Sequence, residues 1–113
     1  MATVKTEAQR RGARNRRAGH AYEREIANKL KDIFPDVRRH LEPRGCDSVG
    51  GIDLDNTGVY GIQMKNYANY APINKIEEVK QGIPVLITKG QRKKSVVCMY
   101  FDDWKRLVKE SLT

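Results

Sequence analysis

Three polar side chains in the middle of the chain have types and spacings that suit phosphate chemistry. Asp53 lies in a short apolar segment, and Gln63 and Lys65 are separated by one residue in the next one. Side chains two residues apart point to the same face of a strand. Gln63 and Lys65 are therefore expected to face one way, and Ile62 and Met64 the other. A carboxylate beside an amide and a lysine predicts a site for a metal ion and a phosphate group.

Hydrolysis of a phosphodiester needs a divalent cation that polarises the phosphate and lowers the pKa of a water. Mg²⁺ prefers oxygen ligands, and Mn²⁺ is the alternative. We expect the metal ligands to be Asp53, Gln63, Glu23 and the backbone carbonyl of Met64. Lys65 is expected to orient the attacking water or to stabilise transition-state charge. The candidate catalytic residues are Glu23, Asp53, Gln63 and Lys65, and the alternative is a solvated hairpin face beside a solvated helix edge.

Glu23 is expected to lie on a helix, which is predicted to run from about Ala18 to Ile33. Tyr22, Ile26 and Leu30 recur there at helical spacing and define an apolar stripe. Glu23 lies at the edge of that stripe, where a carboxylate is either solvated or used.

Asp53, Gln63 and Lys65 are predicted to lie on a hairpin. Its two apolar segments flank a turn at 55–58, where Asn and Gly suit positive φ. The order of elements predicts an α/β domain with a central mixed β-sheet flanked by helices. The other expected elements are a strand at Val37–Leu41, a short helix at Ile73–Lys80, buried strands at Ile83–Thr88 and Ser95–Phe101, and a last helix capped by Asp102 with Trp104, Leu107 and Val108 facing inward.

Positive charge is concentrated at the N-terminus. The net charge is +8, and residues 1–17 hold six basic residues against one acidic residue, whereas the rest of the chain holds only +3. This stretch lacks apolar periodicity, so we predict a flexible basic arm at 1–17 and one domain at 18–113. Such an arm favours a polyanionic partner, DNA before an anionic membrane, and a solubilising tail is the alternative. Candidate phosphate contacts are Arg14, Arg16, Arg17, Arg38, Arg39, Arg44, Lys89, Arg92, Lys93 and Lys94.

Several classes of protein are disfavoured by the composition. No segment approaches the roughly 18 apolar residues of a membrane-spanning helix, and the N-terminus has no apolar signal region. Cys46 and Cys98 lie far apart without the spacing of a zinc site. We therefore expect a cytoplasmic protein with reduced thiols and no membrane partner, and the small size suggests a phage-encoded one.

The order of Glu23 on a helix, Asp53 on a strand and Gln63-x-Lys65 on the next strand resembles the PD-(D/E)xK nuclease superfamily. Within it the chain is similar to archaeal-type Holliday junction resolvases. The matching stretches are GHAYERE at Gly19–Glu25, GIDL, IQMK and GIPVLITK at Gly82–Lys89.

The resemblance implies a restriction-endonuclease-like fold and a homodimer that places two active sites on branched DNA. It implies Mg²⁺-dependent, structure-selective cleavage in recombination or repair. It matches Glu23 to the helix glutamate, Asp53 to the metal-binding aspartate, Gln63 to the acidic position and Lys65 to the catalytic lysine.

Two positions depart from the superfamily's pattern. Ile52 stands where the superfamily's name has proline, and Gln63 replaces a carboxylate. The missing negative charge has to be supplied by Glu23, by Asp55 or by a DNA phosphate. Two other functions stay open: a repair, restriction or phage nuclease acting on flaps, nicks or duplex DNA, and a DNA-binding module without catalysis.

Overall fold

The computed structural model describes residues 6–41 and 49–113. No helix in these ranges is long and apolar enough to cross a membrane. The α-helices are α1 (Glu7–Lys29) and α2 (Phe101–Ser111), and the strands are β1 (Arg38–Arg39), β2 (Leu54–Asp55), β3 (Tyr60–Asn66), β4 (Ile83–Lys89) and β5 (Val96–Cys98). Short 3₁₀ helices lie at Leu30–Asp32, Val49–Gly51 and Ile73–Glu78, and the last of these is called the crossover helix below.

The strands form two sheets, and the larger one is mixed. β3 pairs in parallel with β4, which pairs antiparallel with β5, while β1 and β2 form a small antiparallel sheet. β3 and β4 are mostly buried, as parallel pairs require, and the long connection through the crossover helix lets them run the same way. The predicted α/β class with a mixed sheet is confirmed.

The predicted hairpin is wrong in its pairing. Its two segments join different sheets, because β2 pairs with β1 and β3 pairs with β4. They still meet at one point, where the Asp53 N–H donates to the Ile62 carbonyl at 2.8 Å. That contact brings Asp53 to the edge of β3 without a regular ladder between β2 and β3.

The main core lies between α1 and one face of the larger sheet. As predicted, Ile62 and Met64 point into it and Gln63 does not. On the neighbouring strand, Val85 and Ile87 share their face. Buried residues of α1 that pack against this face are Tyr22, Ile26 and Ala27.

α1 begins at Glu7, well before the predicted start near Ala18. Thr6 and Gln9 form a capping box in which each backbone N–H donates to the other's side chain, at 2.8 and 3.1 Å. The first turns face no core, so they carry no apolar stripe for the sequence pattern to detect. Part of the predicted arm is therefore helical, whereas its separation from the 18–113 domain stays a prediction.

α2 differs most from its predicted packing. Its N-cap is Tyr100, not Asp102, and Trp104 and Leu107 are 51% and 39% exposed instead of facing inward. β5 is likewise short and half exposed, with Val97 63% exposed, where a buried strand was expected.

Candidate active site

β3 presents Gln63 and Lys65 on the face opposite α1, where they meet a residue of the crossover helix. The Gln63 side chain donates a hydrogen bond from Nε2 to Oε2 of Glu78. Lys65 Nζ lies 3.7 Å from the same oxygen, and Lys75 Nζ lies 3.2 Å from Oε1 of Glu78. One amide group and two ammonium groups therefore lie around the single carboxylate of Glu78.

Glycines allow the crossover helix to come this close. Gly51 has φ of +66°, and a Cβ there would lie 2.0 Å from the Glu78 carbonyl oxygen. The neighbouring Gly50 carbonyl accepts from the Lys80 N–H at 2.7 Å. These contacts fix the end of the crossover helix, and with it Glu78, beside Gln63.

Gln63 is almost fully buried, with 5% of its surface exposed. Its Nε2 bonds Glu78, but its Oε1 has no hydrogen-bond partner among the described residues. A buried carbonyl-type oxygen without a donor costs free energy, since most such atoms in folded proteins are paired. A cation would satisfy this oxygen.

Asp53 lies at the edge of β3. Its Oδ2 accepts the backbone N–H of Met64 at 2.7 Å. Burial raises the pKa of Asp53 above its ordinary value of 3.8, the Met64 hydrogen bond opposes that rise, and the charges of Glu23, Lys65 and Glu78 also act on it. In a β-ladder the N–H and C=O of one residue point to the same side, so the Met64 carbonyl faces the Asp53 edge.

Glu23 lies near this group but is engaged elsewhere. Its Oε2 accepts from Arg39 Nε at 2.9 Å, and both side chains are largely buried. The Glu23 charge contributes to the raised pKa of Asp53, so it acts on the site through space. The structure thus places Glu23 beside the site with its carboxylate held by Arg39.

Asp55 is committed to a different cluster. His40 Nδ1 and Asp55 Oδ1 are 2.6 Å apart, and Arg38 Nε lies 3.6 Å from Asp55 Oδ2. Of the acidic side chains considered, Glu78 contacts Gln63 directly. Glu78 therefore places a negative charge beside Gln63, and it is a residue that the sequence pattern did not single out.

The donor set suits a hard cation. Asp53 and Glu78 offer carboxylate oxygens, Gln63 Oε1 an amide oxygen and Met64 a carbonyl, which are ligand types that Mg²⁺ accepts. Within residues 6–41 and 49–113, no three side chains of His, Cys, Asp or Glu converge tightly enough to hold a metal ion by themselves. Any cation here would depend on the amide, the backbone and water as well as on the two carboxylates.

The predicted phosphate contacts lie on α1, on β1 and at the turn after β4, and one residue, Arg44, is outside the described residues. Arg14, Arg16 and Arg17 are exposed on α1, where Arg14 lies 3.6 Å from Glu7. Arg38 and Arg39 are paired with Asp55 and Glu23. The remaining contacts are Arg44, outside the described residues, and Lys89, Arg92, Lys93 and Lys94 in or next to the turn after β4.

Two tyrosines lie against that turn. The Lys93 ammonium is 5.2 Å from the centre of the Tyr70 ring, whose hydroxyl donates to the Lys94 carbonyl at 2.8 Å. The Tyr67 N–H donates to the Lys89 carbonyl at 3.1 Å. Both rings are partly exposed, so cationic and aromatic groups share one surface.

Glu78 is the site residue that sequence reasoning missed. No spacing rule links it to Gln63, because it follows β3 by a connection whose path is set only by folding. One signal was available: a parallel crossover must return over the sheet, so an acidic residue on it can meet a polar strand face. No family model, no curated protein and no solved structure matches this chain.

Proposed function

We propose that this chain is a Mg²⁺-dependent, structure-selective DNA endonuclease that acts on Holliday junctions as a homodimer. The observation that carries the proposal is the buried Gln63 Oε1, which lacks a hydrogen-bond partner among the described residues. The charged side chains of Asp53, Lys65 and Glu78 lie near Gln63. The resemblance to the PD-(D/E)xK superfamily and the mixed sheet support a restriction-endonuclease-like fold.

The residues present fit a divalent cation, so each can be given a role. Asp53, Gln63 Oε1, Glu78 and the Met64 carbonyl would hold the metal. When bound, Mg²⁺ supplies Lewis-acid polarisation of the scissile phosphate and a water of lowered pKa. The raised pKa of Asp53 reflects a buried carboxyl that gains most from a nearby positive charge.

Lys65 is the positively charged side chain that this proposal assigns to the stabilisation of the phosphate. Its ammonium group is held near Glu78, at 3.7 Å, in a half-buried position. There it can donate to a non-bridging phosphate oxygen and stabilise the charge that develops on it, which is the larger part of catalysis in phosphoryl chemistry. It can also orient the attacking water toward phosphorus.

Glu23 is a positioning residue in this proposal. Its salt bridge with Arg39 ties α1 to β1, and its charge reaches Asp53 without direct contact. Loss of Glu23 would remove this salt bridge and the negative charge that acts on Asp53.

The DNA-binding surface combines the exposed arginines of α1 with the turn after β4. Contacts to phosphates fix position without reading bases, which suits recognition of DNA shape. Tyr67 and Tyr70 are partly exposed beside that turn and would be available for stacking with an unpaired base at a branch point. Such stacking would favour branched DNA over a linear duplex.

The test compares cleavage of a four-way junction, a flap and a linear duplex, each with Mg²⁺, with Mn²⁺ and with EDTA. We expect metal-dependent cleavage with the junction as the preferred substrate. Equal rates on linear duplex would overturn junction resolution in favour of a general repair, restriction or phage nuclease.

A second candidate is a DNA-binding module without catalysis. It is favoured by the absence, within the described residues, of three converging acidic or imidazole ligands. Binding of the junction with no cleavage at any Mg²⁺ or Mn²⁺ concentration would support this candidate and overturn the nuclease.

A further inference from the structure

The first four turns of α1 extend beyond the part of the helix that packs on the sheet. The buried residues of α1 all lie in its second half and are Tyr22, Ile26 and Ala27. Residues 7–21 form no hydrogen bond or ion pair with a described residue outside α1 and its Thr6 cap. A Cβ added at Gly19 would meet no atom within 4 Å. We call residues 7–21 the projecting helix, which is about 22 Å long.

The sequence specifies a helix here although no core covers it. Thr6 and Gln9 form a capping box at its start, and Glu7 places a negative charge in the first turn, where the helix dipole favours one. Most of the other residues are Ala and Arg, which are strong helix formers. A segment that attracted a polyanion by charge alone would need none of these features. The helical form is therefore expected to matter for what this segment binds.

The arginines of the projecting helix occupy one face and both of its flanks. The segment holds five arginines and one glutamate. Arg10, Arg14 and Arg17 follow at spacings of four and three residues, so they share one face. Arg11 and Arg16 lie roughly a third of a turn to either side of that face. All five side chains are exposed.

Duplex DNA is the partner whose shape and charge fit this helix. The major groove of B-form DNA is about 12 Å wide, and an α-helix with its side chains is about 10–12 Å across. Phosphates line both walls of the groove, so arginines on both flanks of a bound helix could reach them. An amphipathic membrane helix needs a large apolar face, and a helix in a protein groove needs apolar anchors. The only aliphatic side chains of the projecting helix are those of four alanines.

The arginine face points away from the core. Ile26, on the packed side of α1, lies nearly half a turn from the face that Arg10, Arg14 and Arg17 share. A duplex could therefore approach this face without meeting the sheet. Glu23 follows on the same unbroken helix, so a duplex held by the projecting helix would have a fixed position relative to the candidate active site.

We propose that the projecting helix binds, as a helix, in the major groove of duplex DNA. This mode of binding deepens the proposed function and rests on it for DNA as the partner. It goes further because it gives residues 7–21 a defined conformation and one groove, whereas the proposed function needs only contacts to phosphates. It also replaces the flexible arm that the sequence predicted with a rigid element over most of that stretch.

The first experiment breaks the helix without changing its charge. Ala13→Pro removes a backbone N–H and places a ring against the carbonyl of the preceding turn, so it interrupts the projecting helix. Ala8→Pro is the matched control, because proline is tolerated in the first turn of a helix. Affinity for a short linear DNA duplex is measured by fluorescence anisotropy in EDTA. Ala13→Pro should weaken binding at least about tenfold, and Ala8→Pro less than about twofold.

The fold of both variants is checked before their affinities are compared. Circular dichroism should show less helix in Ala13→Pro than in Ala8→Pro. Thermal unfolding should leave the midpoint of both variants at the parent's value, since neither alanine belongs to the core. Equal DNA affinities of the two folded variants would overturn binding as a helix and would leave attraction by charge alone.

The second experiment tests which groove is used. Duplex RNA carries the same phosphates, but its A-form major groove is too deep and narrow to be read by side chains. The parent should bind the DNA duplex at least about tenfold more tightly than an RNA duplex of matching sequence, and Ala13→Pro should reduce that preference. A parent that binds both duplexes equally overturns the placement in the major groove.

A chemical change to the DNA gives an independent test of the groove. The C5 position of pyrimidines faces the major groove. Bulky C5 substituents should therefore weaken binding by the parent and have little effect on Ala13→Pro. Parental affinity that does not respond to these substituents contradicts the proposed mode.

The binding mode and the nuclease can fail separately, because these measurements contain no divalent metal and follow no cleavage. DNA binding with the expected preferences, by a protein that cleaves no substrate, would support the binding mode and overturn the nuclease. Metal-dependent junction cleavage together with equal affinities of Ala13→Pro and Ala8→Pro would overturn the binding mode alone. A parent that binds no DNA would overturn both.

Discussion

Gln63 and Glu78 are joined by a hydrogen bond from the Gln63 Nε2 to the Glu78 carboxylate. The bond fixes the orientation of the buried amide, because it commits the nitrogen to Glu78 and leaves Oε1 as the free end. It is also the largest cause of the lowered pKa of Glu78, so Glu78 stays ionised beside the site. A neutral residue on β3 and a charged residue on the crossover helix are thus held side by side.

Gln63→Glu is expected to destabilise the protein in the absence of a divalent cation. A buried carboxylate would then face the partly exposed carboxylate of Glu78, at a cost of roughly 2 kcal/mol in the free energy of unfolding. Mg²⁺ should restore much of that stability by binding the folded state. Chemical denaturation with and without Mg²⁺ measures both effects, and a variant as stable as the parent in EDTA would contradict the contact.

The exchange variant Gln63→Glu/Glu78→Gln is the matched control. It reverses donor and acceptor while keeping one carboxylate and one amide, so its stability should return to within about 1 kcal/mol of the parent. Glu78→Gln alone should lower metal affinity at least about tenfold while leaving the domain folded. Independent, additive effects of the two single changes would show that these side chains are not coupled.

Asp53→Asn is expected to make the protein more stable and inactive. An asparagine oxygen can still accept the Met64 N–H, but the buried charge is gone, which should add about 1 kcal/mol to the unfolding free energy at neutral pH. Metal-dependent cleavage should fall at least about a hundredfold, because the metal would have one carboxylate ligand fewer. Thermal unfolding and a cleavage assay on the same preparation test both, and a destabilised variant would contradict the burial of this charge.

As the pH is lowered, metal binding should be lost at a higher pH than it would be if Asp53 were exposed to solvent. Burial raises the pKa of Asp53, so the group gains its proton above its ordinary value of 3.8, and a protonated carboxyl cannot hold a cation. Because the folded state holds this proton more tightly than the unfolded state, Asp53 favours folding more as the pH falls through its raised pKa. Mg²⁺ titration by calorimetry between neutral and acidic pH, with Asp53→Asn as the control, measures the shift.

Glu78 has the opposite pH dependence. Its pKa is lowered below the ordinary value of 4.5, so its contribution to stability is present above that value and is lost as the pH falls through the lowered pKa. The Glu78→Gln variant should therefore lose stability less steeply than the parent below pH 4.5. Parallel acid-denaturation curves for the two proteins would contradict the assignment.

The exposed arginines of α1 are expected to contribute to DNA affinity through phosphates. Changing Arg14, Arg16 and Arg17 to Gln should weaken junction binding and reduce the slope of log K against log salt by about 0.9 for each phosphate that is no longer neutralised. The control changes Arg24, Lys29 and Lys31 to Gln, which removes equal charge toward the end of α1 and in the 3₁₀ helix that follows it. An unchanged slope in the first variant would show that these three arginines of α1 do not touch DNA.

The sequence predicted the parts of the site that depend on local periodicity. Alternation along β3 predicted the correct faces for Ile62 and Gln63, and the stripe on α1 predicted its contact with the sheet. The contact of Glu78 with Gln63 was not predicted, because the position of Glu78 depends on the crossover between two parallel strands. The pairing of Asp53 with β3 through Ile62 and Met64 likewise depends on tertiary contacts, although composition had suggested a hairpin.

α2 shows the limit of periodicity in another way. Its apolar stripe correctly predicted a helix. Such a stripe indicates that one face of the helix is to be buried, but it does not identify the surface that buries it. The inward orientation of Trp104 and Leu107 assumed that the cover is this chain's own sheet. In the structure both side chains stay exposed, so the described sheet does not cover this stripe.

Asp53, Gln63, Lys65 and Glu78 are proposed to form one metal-dependent phosphodiesterase site. The most direct test is cleavage of a labelled four-way junction by the parent and by Asp53→Asn, each assayed with Mg²⁺ and with EDTA. We predict cleavage by the parent with Mg²⁺ alone, and none by the folded Asp53→Asn protein. Cleavage by Asp53→Asn at the parent's rate, or none by the parent at any Mg²⁺ concentration, would contradict the proposed site.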